Sequence, residues 1–312
     1  MKRLLLAIGA VVMLAMPMSA NRWDVNGDGV VSSVDVTAIY NYLLNNDTTF
    51  PVSALDVNKD GSVGSVDITE VYNVLLNGLP SNTTEYTVNG VTFVMVNVEG
   101  GTFMMGNPDY QSSSSYYDEG PVHQVTVSSF SIGQTEVTQE LWKAVMGWNY
   151  SGHEGSLQYP TEYVNYNMIE EFIAKLNEMT GLTFRLPTEA EWEFAARGGN
   201  ESKGYLYSGS NNFDDVAWCD VNSGGETHIV GAKAPNELGI YDMSGNVWEY
   251  CSDWYAEYTA DAQTNPTGPA TGVEKVIRGG SWYGISKVCR ITQRFKVSTG
   301  FGDDDIGLRL AM

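Results

Sequence analysis

RLPTEAEWEFAARGG, residues 185–199, is the stretch on which the fold turns. Thr188 and Glu191, standing just after Pro187, have the spacing of a capping box, so a helix starts here. Upstream, Thr138 followed by Leu141, Trp142 and Val145 predicts one helix, and Met168–Met179, stopped by Gly181, predicts another. Before these, TVNGVTFVMVNVEGGTFMMG (87–106) alternates apolar residues around Gly turns and reads as strand, turn and strand, with a further strand over Gln124–Val127. Downstream, loops dominate as far as YDMSGNVWEYCSDWY (241–255) and a closing strand at RGGSW (278–282). The fold class is α+β with long irregular connections, which bound ions or stacked aromatic rings can support. The 33 Gly, 18 Tyr and 8 Trp agree with a loop-rich, aromatic-rich chain.

Residues 1–20, MKRLLLAIGAVVMLAMPMSA, place Lys2 and Arg3 before an apolar run and Ser19-Ala20 after it. That pattern predicts a cleavable signal peptide and a secreted or periplasmic protein, with no further membrane insertion. No cysteine follows the run to carry a lipid anchor. The 17 basic against 38 acidic residues give a formal charge of −21, which excludes nucleic acid and anionic membranes as partners. Three cysteines, Cys219, Cys251 and Cys289, allow at most one disulfide.

Residues 21–79 contain an internal repeat. DVNGDGVVSSVD (24–35) returns as DVNKDGSVGSVD (56–67), 32 residues later. Each copy sets oxygen donors in a twelve-residue calcium-loop pattern: Asp24, Asn26, Asp28, the Val30 carbonyl, Ser32 and Asp35 in one; Asp56, Asn58, Asp60, the Ser62 carbonyl and Asp67 in the other. Gly29 and Gly61 take the sharp turn. A helical apolar period follows each loop, so this module is all-α and takes two calcium ions. The duplicated loop–helix unit resembles a dockerin. The resemblance implies a cohesin-like protein partner and places Ser33, Val34, Ser65 and Val66 at the contact positions. A calcium-stabilised cap without a partner is the other reading. Residues 80–87, within a polar stretch beginning LPSNTTE (79–85), read as a linker, leaving 88–312 as the large domain.

EGPVHQVTV, EVTQELW, RLPTEAEWEFAARGG, NELGIYDMSGNVWEY, RGGSW and the terminal GLRLAM together resemble the formylglycine-generating enzyme (sulfatase-modifying factor) family over nearly all of 88–312. The resemblance implies a C-type-lectin-like fold, a scaffold that also serves purely for ligand display, so the fold alone does not assign chemistry. It further implies a structural calcium on DMSGNVWE, through Asp242, Gly245, Val247 and Glu249. The alternative there is that Glu249 pairs with an arginine. VAWCDVNSGGETHIVG (216–231) does not reproduce the family's other calcium site.

In the family's oxidases two cysteines after the GGS hold copper(I), a soft ion that prefers two thiolates. Ser281 matches the family serine and Cys289 the second cysteine, as candidate catalytic residues; the first cysteine falls on Gly284, which has no ligand atom. Two other readings stand beside this one: a Cys251–Cys289 disulfide closing some 37 residues, worth about 3–4 kcal/mol, or two inert buried thiols. His123, His153 and His228 do not make the His-x3-His-x-Glu iron triad of a related enzyme class, and His123 reads as a strand-end packing residue. Loop aromatics, among them Trp148, Tyr150, Tyr163, Trp282 and Tyr283, suit a groove for a peptide or a glycan. Two functions follow. One is a calcium-binding docking and scaffold protein without oxidase chemistry, accessory to polysaccharide or sulfated-glycan breakdown. The other is a copper-dependent oxidase converting a sulfatase cysteine to formylglycine.

Overall fold

The computed structural model describes residues 25–26, 32–55, 57, 62–77, 82–109 and 117–312. The expected leader and the loop residues Asp24, Asp28, Val30, Asp56, Asn58 and Asp60 lie outside the described residues. The chain divides into two units, Met1–Ser81 and Asn82–Met312. Among the described residues no helix is long and apolar enough to cross a membrane.

The first unit carries α1 (Ser33–Asn45), α2 (Val52–Leu55) and α3 (Ser65–Asn77). Its core gathers Val25, Val36, Ile39, Leu55, Val57, Ile68 and Val71, the apolar stripe of each repeat facing the other. Asp35 and Asp67 close the two loops in the same way. Asp35 accepts the backbone N–H groups of Asn26 and Ser32, and Asp67 those of Val57 and Gly64. Ser32, expected as a calcium ligand, caps α1 by accepting the Val34 N–H and forms a capping box with Asp35. Ser33, Val34 and Ser65 are exposed, as docking contacts need to be; the Val66 side chain is not described.

The second unit begins earlier than its sequence suggests. Thr83–Val88, all but its last residue expected in the linker, forms β1 and pairs antiparallel with β2 (Val91–Val98) through an Asn89-Gly90 turn at positive φ. The turn's polarity hid a run whose alternate residues face a core. β3 (Gly101–Met105), β4 (His123–Val127) and β5 (Phe130–Gly133) follow, then α4 (Gln139–Met146), α5 (Tyr166–Thr180), α6 (Glu189–Ala196) and the short α7 (Phe213–Val216). β6 (Trp248–Trp254), β7 (Gln263–Thr264), β8 (Glu274–Arg278), β9 (Arg294–Ser298) and β10 (Ile306–Gly307) complete three small sheets, ordered β1-β2-β5, β3-β4-β7 and β10-β6-β8-β9.

Caps set the helices where the sequence placed them. Thr138, Asn165 and Thr188 each accept a backbone N–H in the first turn, and α4 and α5 end on left-handed Gly147 and Gly181. Trp142 of α4 stacks on Phe172 of α5 with ring centroids 4.8 Å apart. The final residues run through the interior rather than over the surface. Leu308, Leu310 and Ala311 are buried, and Ala311 exchanges backbone hydrogen bonds with Arg185 at 2.7 and 2.9 Å. The closing strand, expected through RGGSW, stops at Arg278, because Gly279 and Gly280 turn the chain at φ +98° and +77°.

Candidate functional site

Helix α6 supplies the frame of the site. Glu189 and Glu193, one turn apart, are both buried and face inward. Arg278, at the head of RGGSW, reaches Glu193 at 2.5 Å and Glu189 at 3.2 Å, and Arg294 of β9 reaches Glu189 at 2.6 Å. These guanidiniums are all but removed from water, and the paired carboxylates hold them charged. The ion pairs pin the turn that follows Arg278. In that turn Ser281 donates to Asp305 at 2.8 Å, and the Trp282 indole N–H donates to the Asp304 carbonyl at 3.0 Å.

The cysteines do not meet as expected. All three are free and buried, and the Cys251–Cys289 disulfide is not formed. Cys251 lies in β6 within the core that contains Trp192 and Val276, whereas Cys289 belongs to a separate apolar cluster with Tyr207, Val216, Ala217 and Cys219. Burial pushes the Cys251 and Cys289 thiols far above their ordinary range, so neither is a ready thiolate. Gly284, at the position of the missing cysteine, accepts a hydrogen bond from Asp220 N–H at 2.9 Å. The neighbour of Asp220 is Cys219. Sequence reading gave that residue no role, since 70 positions separate it from Cys289; the fold brings it to the same cluster.

On DMSGNVWE, Glu249 is engaged from both sides. Arg309 donates to it through Nε and Nη2, the latter at 2.6 Å, and Trp192 Nε1 donates at 2.7 Å. Glu249 thus pairs with an arginine, as the alternative reading of DMSGNVWE has it. Asp242, at φ +58°, accepts the Gly231 N–H at 2.6 Å, and its carboxyl is pushed up to about 6, chiefly by burial. Glu136, which the sequence did not single out, accepts from Asn246 Nδ2 at 2.7 Å and Val247 N at 3.1 Å; burial and the nearby Asp242 raise it well above the carboxylate range. Gly245 packs so closely on the Trp218 backbone that a Cβ there would stand 2.2 Å from its carbonyl oxygen. Among the described residues no three His, Cys, Asp or Glu side chains converge to hold a metal ion.

The histidines are separately placed. His123 opens β4 and packs edge-on to Tyr258, and His228 stacks on Trp218 at 3.7 Å. His153 meets the Trp282 ring edge-on at 5.0 Å, and its backbone N–H donates to Glu162 Oε1 at 2.8 Å. Of the loop aromatics, Tyr150, Tyr163 and Tyr283 are exposed, while Tyr207 is core. A cavity of about 260 Å³ is lined by His123, Glu189, Asp253, Trp254, Tyr258 and Arg294 among others. Burial pushes Asp253 up to about 7 there.

With this geometry in place, comparison with known proteins is direct. The family model for a sulfatase-modifying factor enzyme 1-like domain matches residues 83–312. The chain belongs to the sulfatase-modifying factor family. A dockerin type I model matches residues 22–76, a domain type that binds calcium and docks on cohesins. The sulfatase-modifying factor domain of this chain is similar to Chaperone protein LppX of Paenibacillus barcinonensis, 35% identical over 69% of this chain and 88% of that protein. The formylglycine-generating enzyme of Thermomonospora curvata is 28% identical, over 65% of this chain and 86% of the enzyme. Treponema denticola variable protein 1 superposes with a TM-score of 0.68 at 35% identity, covering 73% of this chain and 98% of that one. Family membership thus spans proteins named as enzymes and proteins named otherwise, and the choice rests on this chain's own residues.

Proposed function

We propose that this chain is a secreted, calcium-stabilised docking protein whose sulfatase-modifying factor domain presents a ligand face in place of oxidase chemistry. The observation that carries this is Gly284. The residues do not fit the family's copper(I) site, because Gly284 offers no donor and Cys289 is a buried thiol whose proton burial holds in place. The dockerin module supports attachment to a cohesin-like partner through Ser33, Val34, Ser65 and Val66, with one calcium in each loop. A role beside polysaccharide or sulfated-glycan degrading enzymes suits that arrangement.

A second reading is favoured by one observation, the presence of Cys219 in the same cluster as Cys289. If the two sulfurs act together, a soft metal ion regains two thiolates and the oxidase reading revives. Incubating the mature protein with copper(I), oxygen and a peptide carrying Cys-x-Pro-x-Arg separates the two. The scaffold reading expects unchanged peptide mass. A mass loss matching cysteine-to-aldehyde conversion, abolished in both Cys219→Ala and Cys289→Ser, would establish the oxidase.

A further inference from the structure

The cavity under the Pro266–Pro269 loop holds two polar atoms that the protein leaves unpaired. None of residues 278–289 lines it, so it is separate from the RGGSW turn and from Cys289. His123 and Asp253, only 3% and 4% exposed, stand in its wall. His123 gives its Nδ1–H to the Pro121 carbonyl at 3.1 Å, which leaves Nε2 of the neutral ring as an acceptor. Asp253 Oδ2 accepts the Glu189 N–H at 3.0 Å and the Ser252 hydroxyl at 3.1 Å. Among the described residues neither His123 Nε2 nor Asp253 Oδ1 has a hydrogen-bond partner, and neither atom is sealed from solvent. Burial pushes the Asp253 carboxyl up to about 7, so below that pH it keeps a proton. With Oδ2 accepting twice, the proton sits on Oδ1. The cavity therefore offers one open donor and one open acceptor.

The charges in its floor are already balanced. Glu189 is held by Arg278 and Arg294 and also accepts the Tyr258 hydroxyl at 3.0 Å. Glu257 stands at the exposed rim, where water screens it. The walls are fixed before any ligand arrives. Asn265 accepts the Ser128 N–H at 2.7 Å and donates to the Ser128 hydroxyl at 2.9 Å, which pins one end of the loop. Arg294 donates to the Ala256 carbonyl at 2.9 Å and holds the opposite rim. Ala256, Gly268 and Pro269 are exposed, so the mouth opens outward, while Met105, Ala190 and Pro266 add carbon surface inside. A space of about 260 Å³ takes one ring-sized molecule. A hydroxyl group both donates and accepts, and so answers both open atoms; an ammonium cannot accept and a carboxylate cannot donate. A sugar ring adds C–H faces that suit the carbon walls.

We propose that this cavity binds a single neutral sugar residue, whose hydroxyls accept from Asp253 Oδ1 and donate to His123 Nε2. The site is independent of Cys219, Cys289 and the RGGSW turn, so it holds under either reading of the domain. The test is a ligand-observed NMR titration of the mature chain in saturating calcium, at about pH 6, where Asp253 keeps its proton. The probes are the methyl glycosides of glucose, galactose, mannose and xylose, with glucosamine and glucuronate as charged rings. At least one neutral glycoside should bind with a Kd of about 1 mM, about tenfold more tightly than either charged ring. His123→Phe keeps a ring but removes the acceptor, and should weaken that binding by about tenfold. Ala256→Trp plugs the mouth from an exposed position and should abolish it; this variant keeps the test open if His123→Phe does not fold. Equal or tighter binding of glucosamine or glucuronate overturns the neutral ligand. Binding unchanged in either folded variant overturns the site. Failure of every neutral glycoside to bind overturns the proposal outright.

Discussion

Asp253 shows how much a single residue can report. Its carboxyl is pushed from an ordinary value near 3.8 up to about 7, first by burial and then by Glu189. The folded protein therefore holds a proton that the unfolded chain releases above pH 4. Stability from this group is complete below that pH and is lost as pH rises to about 7, at about 1.4 kcal/mol per pH unit at full effect. Asp253→Asn keeps an acceptor for the Glu189 N–H but no longer titrates. The variant is expected to melt near the wild-type temperature at pH 4 and above it at pH 8, as thermal unfolding followed by circular dichroism would show. A constant difference across that range would refute the assignment. None of this was legible in WEYCSDWY, where Asp253 reads as one more acid in an acidic chain. Burial is a property of the partners, and those lie on α6 and in the cavity wall. Gly284 is the opposite case, legible from sequence because an absent sulfur needs no geometry.

At the scale of elements, α6 joins the legible to the illegible. Its start was written in Thr188 and Glu191, and both halves of that capping box form. Thr188→Ala should cost about 1 kcal/mol in the denaturant midpoint of the large unit. What the local pattern could not show is that Glu189 and Glu193 point into the protein. Acids one turn apart ordinarily read as a solvated face, and their arginines lie some 85–105 residues further on. Glu193→Gln leaves the Arg278 guanidinium underbalanced in the interior and should cost about 3–5 kcal/mol. Breaking the exposed Lys175–Glu171 pair of α5 with Lys175→Ala should cost less than about 0.5 kcal/mol. Similar costs for the two would mean the buried network is energetically idle. The strand β1 was missed for a related reason: Ser, Asn and Thr suggest a linker until the partner strand is known.

The whole molecule separates into parts that answer to different conditions. In the first unit Asp35 and Asp67 tie each loop to its helix, so removing calcium should unfold residues 21–79 and restoring it should refold them. The large unit, where Arg309 already balances Glu249, is expected to keep its calorimetric transition in chelator. Unchanged helicity in excess chelator would count against both loops as calcium sites. The division into a repeat module and an α+β domain was readable from the repeat and from phrases such as RLPTEAEWEFAARGG and RGGSW. The proximity of Cys219 to Cys289 was not, because long irregular loops carry no periodicity from which to infer where they return.

Residues 307–312 carry a consequence for how the protein comes into being. They fill the interior beside β5 and Arg185, and Arg309 closes the buried pair with Glu249. A nascent chain arrested anywhere before Gly307 lacks the wedge that seals its core, however much of the domain has already emerged. The large unit is thereby expected to stay open to proteases until residues 307–312 are in place, as limited proteolysis of a chain ending at residue 306 would show.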